Sequence, residues 1–337
     1  MKKHTAKHNS LSSIELCVNL AIDLAKQVFQ LAGDDGPGRV IYEDRIKSRE
    51  AFHEYLIKLP VTVTVLMESG PGAQAWARLL QAKGNPVRIL LAQRVAEHRS
   101  GAKNDRNDAH AILRAGRDSS IAAVPIKSTT ALAIQALHRA RRGYVRRHTA
   151  LGNQVRGLLL EHGVALAQGD VAINQGVPRI LEDATQPLPD LLRELIDELL
   201  VEWRYLGERI AVLTARLETA ARDDKTAQRL MTIRGVGPII ATALLAKQPE
   251  PARFANARQF AAYFGLVPDQ RSSGNKVRLG RMSKRGDGYL RSMLVQGAHA
   301  VLKQLRVDSD QPDDRRLLGW LSRLGRKEAA AGWPIEI

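Results

Sequence analysis

From residue 14 to about residue 120, short apolar runs alternate with stretches of helical period. Leu16–Asp23 (LCVNLAID), Gln27–Ala32 and Arg39–Arg45 are each strand length, and the DDGPG turn at 34–38 separates the last two. Together they predict an antiparallel meander of three strands. Ser48 is placed to cap a helix running to about Lys58, Val61–Glu68 (VTVTVLME) is β-branched and strand-like, Gly72–Lys83 has helical spacing, and Val87–Leu91 is a further strand. The predicted order is βββαβαβα.

Three meandering strands followed by alternating helix and strand is the element order of the ribonuclease H-like α/β fold, an order shared with other α+β arrangements. The middle of the chain differs in kind. Leu192, Ile196, Leu199, Trp203, Leu206, Ile210, Leu213 and Leu217 alternate spacings of four and three, with Glu194, Asp197, Glu198, Glu202 and Glu208 on the other faces. This is the seam of a coiled-coil helix. A looser seam, Leu137, Tyr144, Leu151, Val155 and Leu158, runs through 129–162, so the two helices can pair within one chain or across a dimer. The Gly- and Pro-bearing connection at 163–189 is a loop, or a short helix between turns. Near residue 225 a third segment opens, in which Ile233 to Leu245 (IRGVGPIIATALL) has the apolar, Gly-x-Gly and small-apolar spacing of a helix-hairpin-helix. There Gly235 and Gly237 would offer backbone N–H groups to a phosphate. The resulting division is 14–125 (α/β), 126–224 (helical coiled coil), 225–306 (mainly α) and a polar tail at 307–337.

Charge changes this picture from fold to partner. The 337 residues carry 51 Lys+Arg against 35 Asp+Glu, a formal net charge of +16. The excess is clustered: no acid lies between Asp118 and Glu161, a stretch holding Arg139, Arg141, Arg142, Arg146 and Arg147. A second cluster contains Arg271, Lys276, Arg278, Arg281, Lys284, Arg285 and Arg291, opposed only by Asp287. Clusters of this density favour a polyanion backbone over a merely solvated surface. With only 5 Phe, 4 Trp and 6 Tyr, phosphate contact is the expected mode, not stacking on an aromatic platform. One cysteine, Cys17, inside the first apolar strand, excludes an internal disulfide and cysteine-built zinc or iron–sulfur sites, and reads as a core residue. No signal-like or membrane-length apolar stretch occurs, so a cytoplasmic, nucleoid-associated protein without membrane contact is expected.

The candidate chemistry is acidic. Asp23 and Glu68 each end an apolar strand, and Asp105 and Asp108 stand at i and i+3 in KNDRNDAHAI, on one face if a helix covers them. Uncompensated acids so placed repel, and they tolerate one another best around a divalent cation. Four hard oxygen donors with no competing His/Cys set suit Mg²⁺, or Mn²⁺, against phosphate oxygens. His110, two residues beyond Asp108, reads as a helix-surface residue or a proton-transfer aid.

AIDLAK around Asp23, MESG around Glu68 and KNDRNDAHAI around Asp105 and Asp108 resemble the N-terminal domain of the DEDD-type insertion-sequence transposases, relatives of the Piv site-specific invertase. GVGPIIATALLA, FANARQFAAYFGLVP, RSSG and GRMSKRGDGYLRSMLVQGAHAV resemble that family's second domain in the same order, so the likeness spans roughly 14–305. It implies a RuvC-like N-terminal fold, a coiled-coil connection and a C-terminal domain supplying a serine that attacks DNA to form a phosphoserine link. The four acids would bind Mg²⁺ in a composite site shared between subunits. Donor and target DNA would be the partners, the protein a homodimer or homotetramer, and some members of the family are guided by a bridge RNA. Among Ser272, Ser273 and Ser283, Ser273 best fits a nucleophile, since Gly274 follows it and Arg271, Lys276 and Arg278 flank it. Ser283 reads instead as a cap or phosphate contact for the helix after it. Arg281, Lys284, Arg285 and Arg291 would clamp backbone phosphates. A metal-dependent junction nuclease without a covalent intermediate, and a non-catalytic nucleic-acid-binding protein, are the competing readings.

Overall fold

The computed structural model describes residues 14–102, 104–247, 252, 254–272, 276, 278–305 and 312–330. The chain divides into two compact units, one through residue 129 and one from residue 130.

The first unit is built on a five-stranded sheet. Its strands are β1 (Asn19–Leu24), β2 (Phe29–Asp34), β3 (Val40–Ile46), β4 (Thr64–Glu68) and β5 (Val87–Leu90), in the order β3-β2-β1-β4-β5. β1, β2 and β3 are antiparallel neighbours, whereas β4 runs parallel to both β1 and β5. The helices are α1 (Arg49–Lys58), α2 (Ala73–Lys83), α3 (Ala92–Glu97) and α4 (Asp105–Arg117). Ser48 caps α1 as expected, its side chain accepting from the Ala51 N–H. The short α3 was not signalled by the sequence pattern, and β1 to β4 begin one to three residues later than the apolar runs do, whereas β5 begins at Val87 as expected.

Period-two alternation sorts the sheet residues between two cores. Leu20, Ile22, Val65 and Met67 face α1 and α2, where Phe29, Phe52 and Trp76 interlock, with Phe29 stacked on Phe52 at 3.9 Å and Trp76 edge-on to Phe52 at 4.9 Å. Ala21, Ala32, Leu66 and Leu90 face the opposite way, against Ala109, Ala111, Ile112, Leu113 and Ala115 of α4. Alanine is the commonest residue of this second core, and a Cβ built on Gly116 would lie 2.3 Å from Leu66 Cδ1. Small residues therefore let α4 lie close on the sheet. Its C-terminal turn is tied down by Arg117, whose Nη2 and Nε donate to the fully buried Asp34 at 2.8 and 3.0 Å.

The second unit is helical apart from a two-stranded ribbon. It comprises α5 (Thr129–Glu161), a π-helical turn at Ala172–Gly176, α6 (Val177–Glu182), α7 (Asp190–Asp223), α8 (Lys225–Met231), α9 (Pro238–Lys247), α10 (Ala257–Tyr263), β6 (Pro268–Gln270), β7 (Leu279–Met282), α11 (Gly288–Gln304) and α12 (Pro312–Ala330). The α7 seam is buried or half-buried throughout, and the five acids named beside it are exposed. Leu151, Val155 and Leu159 of α5 share one core with Ile196, Leu200, Trp203 and Leu206 of α7, and the His148 ring stacks on Trp203 at 4.2 Å. Ala221, Ala227 and Ala241 join α7, α8 and α9 in a small cluster.

Two features lock α9 and α11 to their neighbours. Gly235, at φ +82°, faces Gly297 of α11 so closely that a Cβ on Gly297 would lie 2.2 Å from the Gly235 carbonyl oxygen. His138 of α5 is buried between Tyr289 Oη and Thr242 Oγ1, each 3.0 Å away. Thr242 already donates to the Pro238 carbonyl at 2.7 Å, so its oxygen accepts from His138 Nε2–H, and Nδ1 accepts from Tyr289. Burial, aided by Arg141, pulls the imidazole down to about 4 and keeps it neutral. Gly297→Ala is expected to cost about 2 kcal/mol or more, because backbone and not a flexible side chain stands in the way, and thermal unfolding of the variant measures this.

Candidate active site

Parity along the strands decides where the acids go. Asp23 shares its face of β1 with Ala21, and Glu68 shares its face of β4 with Leu66, so both point to the α4 side. Because β1 and β4 are parallel with Ile22 opposite Met67, the two carboxylates leave adjacent strand ends side by side. α4 begins at the same end, with Asn104 as its cap: Asn104 Oδ1 accepts from the Asn107 N–H at 2.8 Å. Asp105 and Asp108 therefore lie in the first turn of α4, where the helix dipole favours negative charge.

The four acids feel one another. The Asp23 carboxyl is pushed up to about 6, first by burial and then by the charges of Asp108, Asp105 and Glu68. Glu68 is also raised, chiefly by burial, with Asp108 adding to it. Opposing this is Arg99, a residue that the sequence reading did not single out. Its Nε lies 2.6 Å from Asp108 Oδ1, and its charge lowers both Asp23 and Glu68. That contact lacks hydrogen-bond alignment, so Asp108 Oδ1 is buried without a donor. Asp105 is the most open of the four and pairs with Arg45 Nη2 at 3.1 Å. His110 is engaged elsewhere: its Nε2 lies 2.6 Å from Glu43 Oε1, which leaves it a bracing contact to β3 and no evident part in proton transfer.

Whether this set fits a metal can be judged from its donors. Among the described residues, no three His, Cys, Asp or Glu side chains stand close enough together to hold an ion as they are. The guanidinium of Arg99 supplies the countercharge instead. The donor set itself, four carboxylates with one orphaned buried oxygen and no nitrogen or sulfur, is of the kind that hard divalent cations take.

The second unit presents the basic residues. Arg139, Arg142, Arg146 and Arg147 of α5 are exposed, with Arg142 lying 5.3 Å over the Tyr289 ring and Arg147 4.7 Å over Tyr144. Arg141 is turned inward, its Nε donating to Thr214 Oγ1 of α7 at 2.7 Å, and is spent on helix pairing. Arg291 likewise donates to the Phe264 and Arg285 carbonyls at 3.1 and 3.3 Å. Arg271, Lys276, Arg278, Arg281, Lys284 and Arg285 are exposed on or beside the β6–β7 ribbon. Gly237 is open at the start of α9, whereas Gly235 serves the close approach to α11.

Ser273 and Gly274 lie outside the described residues. Ser272 is exposed, its Oγ accepting from Gln270 Nε2 at 3.0 Å and from the Arg278 N–H at 3.1 Å. Ser283 does not cap the helix that follows it. Asp287 does, accepting from the Tyr289 and Leu290 N–H groups at 3.0 and 3.2 Å, because it directly precedes the first turn while Ser283 is held by its N–H on the Val267 carbonyl.

A mixed α/β sheet carrying a DEDD acid cluster, followed by a mostly helical remainder, fits a RuvC-like DNA transposase. Residues 20–163 match the DEDD-type IS110 family described as Transposase, and residues 227–311 match the Transposase IS116/IS110/IS902 family. A "Probable family 20 transposase" of Pseudomonas aeruginosa is 41% identical over 305 residues, covering 90% of this chain and 89% of that protein. The transposase for insertion sequence element IS1111A of Coxiella burnetii is 35% identical (90% and 82% covered), and that for IS1328 of Yersinia enterocolitica 34% (90% and 88%). The chain belongs to the IS110/IS116/IS902 transposase family. It is thus a DNA-cleaving and rejoining enzyme, of a type that generally uses divalent metal ions. No helix among the described residues is long and apolar enough to cross a membrane.

The raised Asp23 carboxyl carries a stability consequence. The folded, metal-free protein holds this proton up to about pH 6, against 3.8 for a free carboxyl, so ionised Asp23 costs stability above pH 6 and the cost is gone below about pH 4. Asp23→Asn is expected to stabilise the metal-free protein at pH 8 by on the order of 1–2 kcal/mol after solvent screening, read as a higher melting temperature, with the gain vanishing toward pH 4. Arg99→Gln should act in the opposite direction at pH 8, lowering stability by about 1–2 kcal/mol through loss of the countercharge.

Proposed function

We propose that the protein excises and inserts a mobile element by Mg²⁺-dependent strand cleavage and rejoining, Mn²⁺ serving in its place. The mutual charge coupling of Asp23, Glu68 and Asp108, with Asp105 beside them, carries this reading. These carboxylates would hold the ion. Bound there, a divalent cation supplies charge neutralisation at the non-bridging phosphate oxygens. Arg281, Lys284 and Arg285 hold the flanking backbone, and the Ser273 hydroxyl attacks phosphorus. The Oγ–P bond forms as a bridging P–O bond of the DNA breaks. The hydroxyl proton passes to a neighbouring base, and the released deoxyribose oxygen takes up a proton. Attack by the hydroxyl of another strand on the phosphoserine reverses these steps and reseals the duplex, with no outside energy source.

In this reading the protein acts as a homo-oligomer on donor and target DNA, and a bridge RNA of the kind that guides some members of the family is the source of target choice. A guide of that kind would leave no base-reading code in the protein. A second reading is favoured by the acids all lying in the first unit: a RuvC-like site hydrolysing DNA with water and no serine.

End-labelled element DNA incubated with Mg²⁺ separates the readings. Asp23→Asn should reduce cleavage by at least about 10²-fold in either case. Ser273→Ala should abolish both strand exchange and the covalent protein–DNA adduct while leaving metal binding intact; unchanged cleavage would establish hydrolysis instead. Affinity for a DNA duplex should fall on the order of 10³-fold between 50 and 200 mM salt for about six phosphate contacts, and a flat response would remove backbone binding from the account.

A further inference from the structure

The second unit contains a cavity of about 170 Å³ between α5, α9 and the start of α11, lined by Arg139, Arg142, Lys247, His138, Asp287 and Tyr289 among others. We propose that this cavity is a dedicated pocket for one backbone phosphodiester of a polynucleotide, separate from the four-acid cluster. The inference rests on the proposed function only in taking the polyanion to be nucleic acid.

Three cations line the cavity against one carboxylate, which is paired with one of them, so that two positive charges are in excess. Asp287 Oδ1 caps α11, and Oδ2 faces Lys247 Nζ at 3.5 Å. Arg139 and Arg142 stand three residues apart on a helix that carries no acid before its last residue, Glu161, so they repel one another unless an anion lies between them. The floor is preformed: His138 is 3% exposed and hydrogen bonded through both ring nitrogens, and Tyr289 spends its hydroxyl on it. The wall on the α9 side consists of Ala243 and Ala246, whose small side chains leave the space open. Arg142 already lies over the Tyr289 ring, which limits the rotamer freedom lost on binding. An ordinary solvated basic surface has neither the concavity nor the fixed floor. A phosphodiester, a single charge with two exposed oxygens, matches a guanidinium pair and an ammonium around a small hollow.

The test uses full-length Asp23→Asn protein, so that binding is read without strand cleavage and its outcome is independent of the proposed reaction. Labelled 12-nucleotide DNA and RNA strands of the same sequence are titrated by fluorescence anisotropy, with inorganic phosphate as competitor. Adding Arg142→Gln and Lys247→Gln together should weaken binding at least about 10-fold and flatten the dependence of log affinity on log salt by about 1.4, two contacts at 0.7 each for single strands. Inorganic phosphate should raise the melting temperature of the parent and not that of the double variant, which also shows that the variant folds. Arg216→Gln with Arg229→Gln removes the same charge from exposed positions of the same unit and serves as the comparison. Equal losses from the two double variants, or no loss from the first, would overturn the pocket and leave only diffuse attraction. Equal affinity for the two strands would assign the pocket to the shared phosphodiester, tighter RNA binding to a guide strand, and tighter DNA binding to the element itself.

Discussion

Repulsion among four carboxylates is the constraint around which the first unit is arranged. Left to itself it would drive Asp23, Glu68, Asp105 and Asp108 apart. They are held by an unusually close helix on a sheet: Ala21 and Ala32 below, Ala109, Ala115 and Gly116 above, with Arg117 bonded to buried Asp34 at the far end of α4. Small residues give up some apolar burial area, and in exchange the helix start comes within electrostatic range of two strand ends. The aromatic core on the other face, Phe29, Phe52 and Trp76, supplies the compensating burial. Arg99 completes the balance by placing a positive charge among the acids.

The helical unit solves a different problem, that of carrying many like charges on a packed scaffold. Its basic residues fall into two sets. Arg141 and Arg291 turn inward and spend their donors on Thr214 and on backbone carbonyls, whereas Arg139, Arg142, Arg146 and Arg147 stay at the surface. A count of charges along the chain treats both sets alike. The neutral His138, fixed by Tyr289 and Thr242, joins three helices without adding a further cation to a region already rich in them.

Membership of the IS110/IS116/IS902 transposases and the geometry of the acid cluster agree on the kind of reaction. They bear on different parts of it. Family membership speaks for DNA as the substrate and for a divalent ion as the usual cofactor, and the mutual charge coupling of the acids is the feature on which the proposed metal role rests. The proposed serine route is tied to one residue, Ser273, that can be changed by itself.

Much of the first unit was legible in the sequence, because its strands are short apolar runs set off by turns and Ser48 is a strong cap signal. The four acids could be picked out as strand ends and a helix start, and the heptad seam of α7 marked its buried face. Other features needed the tertiary structure. Arg99 is remote in sequence from Asp23 and Glu68, and nothing local distinguishes it from any surface arginine. Gly235 looks like a phosphate-binding glycine by spacing, yet a second glycine sixty-two residues later gives it a packing reason. Asp287, not Ser283, caps α11 because the backbone path from β7 puts the aspartate at the helix start. Local pattern records the period of an element and the chemistry it carries; which charges share a space depends on how pleat parity and close helix approach bring distant segments together, and only the folded chain fixes that.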